Sequence, residues 1–252
     1  MAIFKSSNPA LTEKAFTGSQ LITRTGQTMT IRGTMNRFGF LMLMVMGGAY
    51  YTWSGFYKGQ DVSPYLWGGM IGGLIVAFVI IFKKEWAPFL APLYGILEGL
   101  FIGAISAFFN NAFVESMPNI IVNAVGLTLG TALAMFLLYH FRAIKVTDKF
   151  RSMIVTATVG ILIFYVITWV LRLFGVAVPF MHDSSLLGIG ISLFVVGIAS
   201  MNLLLDFDMI EKGAQHGAPK YMEWFGAFGL LVTLVWLYLE ILRLLSRFAN
   251  RN

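Results

Sequence analysis

The sequence predicts an all-α, polytopic membrane protein with seven transmembrane helices. Only 12% of its 252 residues are charged and 58% are hydrophobic, whereas about 25% of the residues in soluble proteins are charged. The chain therefore has too few polar side chains to cover the surface of a soluble fold. Seven apolar stretches have about the 20 residues that a helix needs to cross a bilayer, and lipid requires each to satisfy its own backbone as a helix.

The first 36 residues differ from the rest of the chain. They are polar, rich in Ser and Thr, and lack the charged start and short apolar core of a signal peptide. We expect residues 1–36 to form a polar cytoplasmic arm and residues 37–252 to form the transmembrane domain. The predicted spans are 38–57, 65–82, 86–109, 120–141, 153–174, 186–205 and 224–245.

Lys and Arg are distributed unequally between the two sides that these spans define. Thirteen lie on the side of the N-terminus and five lie on the other side. Cytoplasmic loops retain an excess of Lys and Arg, so the N-terminus is predicted to be cytoplasmic. The net charge of +6 then reflects membrane topology, and the expected partner is the lipid bilayer, with no role in binding nucleic acid.

Small residues recur every four positions in two of the predicted spans. Such a stripe lets the backbone of another helix approach closely, which is how helices associate in lipid. The spacing therefore predicts helix packing, although glycines that line a permeation path would give the same pattern. The residues are Gly95, Gly99 and Gly103 in the third span and Gly126 and Gly130 in the fourth.

A charged carboxylate inside an apolar span costs free energy, so each one in this chain requires a structural or functional explanation. Glu98 lies about 18 Å into the third span, near the middle of the bilayer, with no Lys or Arg at a comparable depth. It is either an ion or proton site or a neutral carboxyl that is hydrogen-bonded to a neighbouring helix. Asp206 and Asp208 follow the sixth span at its cytoplasmic end and are further candidates for an ion or proton site. A solvated helix end is the alternative explanation for Asp208.

Glu240 in the last span has a different environment. Arg243 follows it by three positions, which is the spacing of an ion pair on one helix face. The sequence therefore predicts a local salt bridge near the outer boundary of the membrane.

No motif of an enzyme is present. The chain has no Cys, and the His-Glu-x-x-His, Gly-x-Ser-x-Gly and phosphate-binding glycine motifs do not occur. The three His residues fall in or beside predicted loops on different sides of the membrane. We expect no enzymatic activity, no cofactor and no defined metal site.

Three strings resemble the Bax inhibitor / YccA family, the transmembrane Bax-inhibitor-motif group. They are SSNPALTEKAF near the start, APLYGILEGLFIGAISAFF in the third span, and LLLDFDMIEKGAQHGAPKYMEWFGAFGLLVTLVWLYLEILRLL towards the end. The likeness is to the bacterial branch with a longer N-terminal arm. It implies seven helices with the last one central, a pH-sensitive calcium leak, and a place in the bacterial inner membrane.

The resemblance also implies particular acidic residues. The family carries an Asp in its sixth helix, which Asp206 matches, and a second Asp in the last helix that shares protons with the first. Matching the local string selects Glu240 for the second position, whereas matching the following arginine and the chain end selects Thr233. Glu240 lies about 20 Å from the depth of Asp206. We therefore expect Thr233 at this position, which leaves the second carboxylate missing.

Two functions remain open. The leading hypothesis is a passive, pH-sensitive leak pathway for small cations, either calcium or protons, with Asp206 and Glu98 as ligand or proton sites. Calcium would then be a permeant ion and not a cofactor. The alternative is a non-enzymatic interaction protein that binds other membrane proteins, or their quality-control machinery, through the N-terminal arm.

Overall fold

The structure is a computed structural model that describes residues 28–175 and 185–251. Residues 1–27 of the predicted N-terminal arm therefore lie outside the described residues. The described part contains seven long helices and no strand, apart from an isolated bridge between Thr28 and Pro219. The helices are α1 (Ile31–Tyr57), α2 (Ser63–Phe82), α3 (Ala87–Phe113), α4 (Ile120–His140), α5 (Asp148–Leu173), α6 (Leu186–Gln215) and α7 (Met222–Ala249).

Two helices extend well beyond their predicted bounds. Helix α1 begins at Ile31, because the Thr30 hydroxyl caps it by accepting a hydrogen bond from the Gly33 amide at 3.0 Å. Residues 31–36 thus belong to a helix and not to the arm. Helix α6 continues ten residues past the predicted end at 205 and reaches Gln215. Its last three turns carry acidic side chains that pair with neighbouring cations, so the helix persists where its sequence turns polar.

Six of the seven helices in the described residues are long and apolar enough to cross a membrane, namely α2 to α7. Helix α1 falls outside this set, because Thr52, Ser54 and several Tyr and Gly residues interrupt its apolar sequence. It nevertheless runs parallel to α3, since Leu41, Val45 and Ala49 meet successive turns of that helix. A helix that follows a spanning helix turn by turn lies at the same depth in the membrane.

The last helix is the centre of the bundle. Helix α7 packs against α1, α3, α4 and α6, whereas α2 packs on α3, and α5 packs on α6. In its most apolar window 72% of the residues are buried, compared with 39% or less in the other candidate spans. The prediction of an all-α membrane protein with a central last helix is confirmed.

Helices α1 and α3 touch backbone to backbone along the predicted glycine stripe. A Cβ atom added to Gly99 would overlap the carbonyl oxygen of Val45, and one added to Gly103 would overlap that of Ala49. Gly95 meets the same helix one turn earlier. The stripe in the third span thus lies in a helix contact and lines no open space.

The corresponding glycines of α4 lie elsewhere. Gly126 and Gly130 have no atom within 4 Å of the place where a Cβ would stand, so the prediction that they pack against another helix is wrong. The buried face of α4 is formed by Ala124 and Thr128. Because a helix turns about 100° per residue, positions two further along point almost to the opposite side.

Candidate functional site

Asp206 lies in the interface between α6 and α7. Its Oδ2 atom is buried and has no hydrogen-bond partner. Across the interface the side chain of Thr233 lies within interaction distance of the carboxylate, and a Cβ added to Gly229 would be 4.0 Å from Oδ1. The Thr233 hydroxyl also has a second acceptor, the carbonyl oxygen of Gly229 at 3.2 Å. Helices α6 and α7 thus bring Asp206 and Thr233 together. Thr233 is the residue that is selected when the following arginine and the chain end are matched to the family.

Glu98 lies in a different interface, between α2 and α3. The residue is 9% exposed, and Tyr94, one turn earlier on α3, hydrogen-bonds to its carboxylate. Gly73 of α2 leaves room for the side chain, since a Cβ there would stand 3.2 Å from Oε2. The ring of Tyr94 packs edge-on against Phe228 of α7, with centroids 4.9 Å apart. Glu98 is thus linked to the central helix through Tyr94, and no described contact joins it to Asp206.

Asp208 is close to Asp206 in sequence but lies on the other side of α6. Two positions on a helix are separated by about 200°, so Asp208 points away from α7 and towards α5. Its Oδ2 forms ion pairs with Arg151 and, at 2.9 Å, with Lys212. The structure therefore does not bring Asp206 and Asp208 into one site.

Glu211 continues this second face of α6. Its carboxylate accepts hydrogen bonds from Tyr139 and, at 3.1 Å, from Gln215, and it lies 3.4 Å from a guanidinium nitrogen of Arg142. Together with Asp208 it borders a polar cavity of about 310 Å³ at the ends of α4 and α6. The lining residues are Tyr139, Arg142, Ile144, Lys145, Val146, Asp208, Glu211, Lys212 and Gln215.

Glu240 forms the local ion pair that its spacing predicts. Nη1 of Arg243 lies 2.9 Å from both carboxylate oxygens, and the hydroxyl of Tyr165 and the indole of Trp236 donate at 3.0 and 3.2 Å. Glu240 stands seven residues past Thr233 on α7, which corresponds to about 10 Å along the helix axis. The separation from Asp206 that the sequence predicts, about 20 Å, is therefore too large, because Asp206 lies opposite Thr233. The Glu240 carboxylate is nevertheless fully engaged at another level of the bundle and does not face Asp206.

Sequence reasoning missed a fifth buried acid, Glu223, at the first turn of α7. It is completely buried and accepts hydrogen bonds from the Thr30 amide and hydroxyl at 2.9 and 2.8 Å. Lys220 lies 2.8 Å away, and Arg37 of α1 forms an ion pair with the other oxygen. Only the Lys220 spacing is visible in the sequence, because Thr30 and Arg37 are almost two hundred residues away.

A comparison of the buried and half-buried carboxylates within the described helices separates two of them from the rest. Asp208, Glu211, Glu223 and Glu240 each form an ion pair with Arg or Lys. Glu98 and Asp206 form none with any described residue; their partners are the hydroxyl groups of Tyr94 and Thr233. In the described part of the chain no cation balances either of these two carboxylates.

Within the described ranges no three His, Asp or Glu side chains are placed to hold a metal ion. Calcium takes six to eight oxygen ligands, of which the Asp206 carboxylate supplies at most two. A cation at this position would keep most of its water.

A family model described as Bax inhibitor 1 like matches residues 8–250, which is nearly the whole chain. Comparisons with curated proteins and with solved structures give no significant match.

Proposed function

Because the chain belongs to the Bax inhibitor 1 like family, we propose that it is a passive, pH-sensitive leak pathway for calcium ions or protons. The observation that carries the proposal is the half-buried Asp206 carboxylate between α6 and α7, which has no cation partner among the described residues and whose buried Oδ2 lacks a hydrogen bond. An ionised carboxylate is costly in such a place. The group is therefore neutral unless a cation or water reaches it, and this dependence makes it a sensor.

The change at this site is a competition between a proton and a cation for one carboxylate. When Asp206 is protonated, its hydroxyl can donate a hydrogen bond and the α6–α7 interface holds no charge. When the proton leaves, the negative charge needs a cation or water between the helices. Gly229 gives this interface room, because it places no side chain opposite Asp206. The two protonation states therefore favour different packing of α6 against α7.

Thr233 supports a sensor with one carboxylate. In the family that the chain resembles, this position is occupied by a second Asp, whereas here the hydroxyl of Thr233 faces Asp206. Two carboxylates at this distance would share a proton and raise the pH at which the second proton leaves. A hydroxyl stabilises the ionised form by hydrogen bonding but carries no charge. Proton release should thus occur in a single step.

Glu98 is the proposed second ion or proton site of the pathway. It also lacks a cation partner among the described residues, and its contact with Tyr94 connects it to Phe228 of α7. Phe228 and Gly229 are adjacent on α7. A shift of this helix beside Asp206 would therefore also move the Phe228 ring that packs against Tyr94. The two carboxylates are coupled in this proposal through the central helix and not through direct contact.

Flux from liposomes tests the proposal. The full chain is reconstituted, and calcium and proton flux are measured separately from about pH 5 to pH 8, the range in which a buried carboxyl can titrate. We expect pH-dependent flux that Asp206→Asn makes insensitive to pH. Glu115→Gln is the matched control, because this carboxylate is exposed on the α3–α4 connection. Absence of flux at every pH, or an unchanged profile in Asp206→Asn, would contradict the proposal.

We place the protein in the bacterial inner membrane with its N-terminus in the cytoplasm. The support is the excess of Lys and Arg on the side where α1 begins. Six of these cations lie in the α4–α5 and α6–α7 connections or in the helix turns that flank them, namely Arg142, Lys145, Lys149, Arg151, Lys212 and Lys220.

A second candidate function is a non-enzymatic interaction protein that acts on other membrane proteins through its arm. One observation favours it: the residues that join the arm to α1 are hydrogen-bonded to the α6–α7 connection and to the first turn of α7. The Met29 amide donates to the Ala218 carbonyl at 2.7 Å, and Thr30 binds Glu223. A partner on the arm would thus pull on the connection between α6 and α7. Partner capture that persists without flux, and that is lost when residues 1–27 are deleted, would favour this candidate.

A further inference from the structure

The polar cavity at the ends of α4 and α6 has more positive than negative groups. Asp208 is paired with Arg151 and Lys212, and Glu211 is paired with Arg142. Lys145 lines the same cavity and forms no ion pair with a described residue. Four cations therefore surround two carboxylates. The surplus of two positive charges attracts an anion, and the single negative charge of a phosphodiester would neutralise one of them.

The backbone of the α4 end is strained in a way that holds one of these cations over the cavity. Arg142 has a φ of 54°, in the left-handed region that glycine usually occupies at the end of a helix. The Ala143 amide donates to Leu138 at 3.0 Å and the Arg142 amide donates to Tyr139 at 2.9 Å, which completes the motif that normally carries the glycine. An arginine at this position is unfavourable for the backbone, and the Arg142 side chain nevertheless lines the cavity.

The position of the cavity suits a lipid more than a soluble anion. Ile144 and Val146 line it beside the charged groups, and Phe141, next to Arg142, is 74% exposed on the outside of the bundle. Helices α4 and α5 each pack on α6 and hardly contact each other. Their cleft can take acyl chains, while the cations at its end meet the headgroup.

We propose that this cavity binds the phosphate of an anionic phospholipid, with Arg142 and Lys145 as its main contacts. Basic cavities between transmembrane helices are suited to anionic headgroups, and the guanidinium of Arg binds two phosphate oxygens at once. The site is independent of the proposed leak, because Asp206 lies on the opposite side of α6. The chemistry that it recognises, a phosphate, is shared with free phosphate ions, and the experiment must separate these sources.

Native mass spectrometry of the purified full chain in detergent provides the test. Phosphatidylglycerol and phosphatidylcholine are added at defined concentrations, and the dissociation constant of the first bound lipid is measured for each. We expect phosphatidylglycerol to bind more tightly than phosphatidylcholine. The double variant Arg142→Gly with Lys145→Gln should weaken phosphatidylglycerol binding by about tenfold or more and leave phosphatidylcholine unchanged. Arg142→Gly keeps the helix end intact, because glycine accepts its backbone conformation.

Two controls keep the result specific. Lys83→Gln removes an exposed cation on the same side of the membrane, outside the cavity, and should leave lipid binding unchanged. Lys145→Arg should retain binding. Equal weakening by Lys83→Gln, or no weakening in the double variant, would overturn the proposal. Displacement of the lipid by millimolar inorganic phosphate would show that the cavity takes a soluble anion, and the lipid assignment would be wrong.

Discussion

Asp206 on α6 faces Thr233 on α7, and this hydroxyl is the only polar side chain described in contact with the Asp206 carboxylate. The other carboxylate oxygen is buried without a partner. A hydroxyl can stabilise either form of the acid, as a donor to the carboxylate or as an acceptor from the carboxyl. The exchange of a proton or a cation that we propose for Asp206 would therefore not require a salt bridge to break first.

Thr233→Asp would place a second carboxylate against the first. Two acids in contact cannot both ionise at neutral pH, so they bind one proton between them. We expect the pH dependence of calcium flux from liposomes to move to higher pH and to broaden relative to the wild type. Thr233→Val is the control, because it keeps the shape and adds no charge. An unchanged profile for Thr233→Asp would mean that position 233 does not communicate with Asp206.

Glu240→Gln should affect stability without changing the pH profile of flux. The substitution removes the charge that pairs with Arg243, while Tyr165 and Trp236 keep an acceptor. Because Arg243 is partly exposed, we expect a loss of about 1–2 kcal/mol in the free energy of unfolding, below the range for a fully buried pair. Chemical unfolding in detergent measures it. If the flux profile responds to Glu240→Gln and ignores Asp206→Asn, Glu240 and not Thr233 matches the family's second acid.

Gly99→Ala and Gly130→Ala form a matched pair on two helices. At Gly99 the new methyl group would overlap the Val45 carbonyl, whereas at Gly130 it meets nothing within 4 Å. We expect Gly99→Ala to destabilise the fold by about 1–3 kcal/mol, as overpacking does. Gly130→Ala should be neutral or slightly stabilising. Thermal unfolding in detergent compares them, and equal midpoints would show that α1 and α3 do not touch at Gly99.

Arg37→Ala should loosen the attachment of α1 to α7. It removes one partner of the fully buried Glu223 and leaves Lys220 and Thr30 in place. Breaking a buried ion pair costs about 3–5 kcal/mol, and the remaining partners should reduce this to about 2 kcal/mol. Arg32→Ala, at an exposed position on the same helix, is the control. Proteolysis of the connection between α6 and α7 should accelerate in Arg37→Ala only.

The two ends of the chain should lie on opposite sides of the membrane. Seven helices that alternate in direction place residue 252 across the bilayer from residue 1, with the N-terminus in the cytoplasm. Cysteine labelling is clean here, since the chain has no Cys of its own. A membrane-impermeant reagent applied to intact cells should modify a Cys added at the C-terminus and not one added at the N-terminus. Modification of both would mean that one helix does not cross.

The sequence predicts contacts between residues that are close on one helix. It does not predict contacts that depend on which face a helix turns towards its neighbours. Glu240 and Arg243 are three positions apart, and their pairing follows from helix geometry alone. Asp206 and Thr233 become partners through the antiparallel packing of consecutive helices, which depth along the two spans predicts. Gly126 has the same spacing as the glycines of α3, but the face that α4 turns inward depends on its neighbours.

Glu223 shows most clearly which contacts cannot be predicted from the sequence. Its partners Thr30 and Arg37 lie on the first helix and its cap, while Glu223 lies on the last helix. No periodicity in either segment indicates that the two ends of the bundle meet. Similarly, Asp208 appears equivalent to Asp206 in the sequence, and only the continuation of α6 to Gln215 turns the two acids to opposite sides.

The central position of α7 has a consequence for the order in which the protein is made. The ribosome releases the N-terminal helices first, so six helices enter the membrane before the one around which they pack. Until α7 follows, Arg37 lacks its carboxylate, and the inner faces of α1, α3, α4 and α6 lack their common neighbour. A nascent chain that stops before residue 222 thus lacks the helix on which these others pack. Residues 222–249 provide the surface on which four of the preceding helices pack.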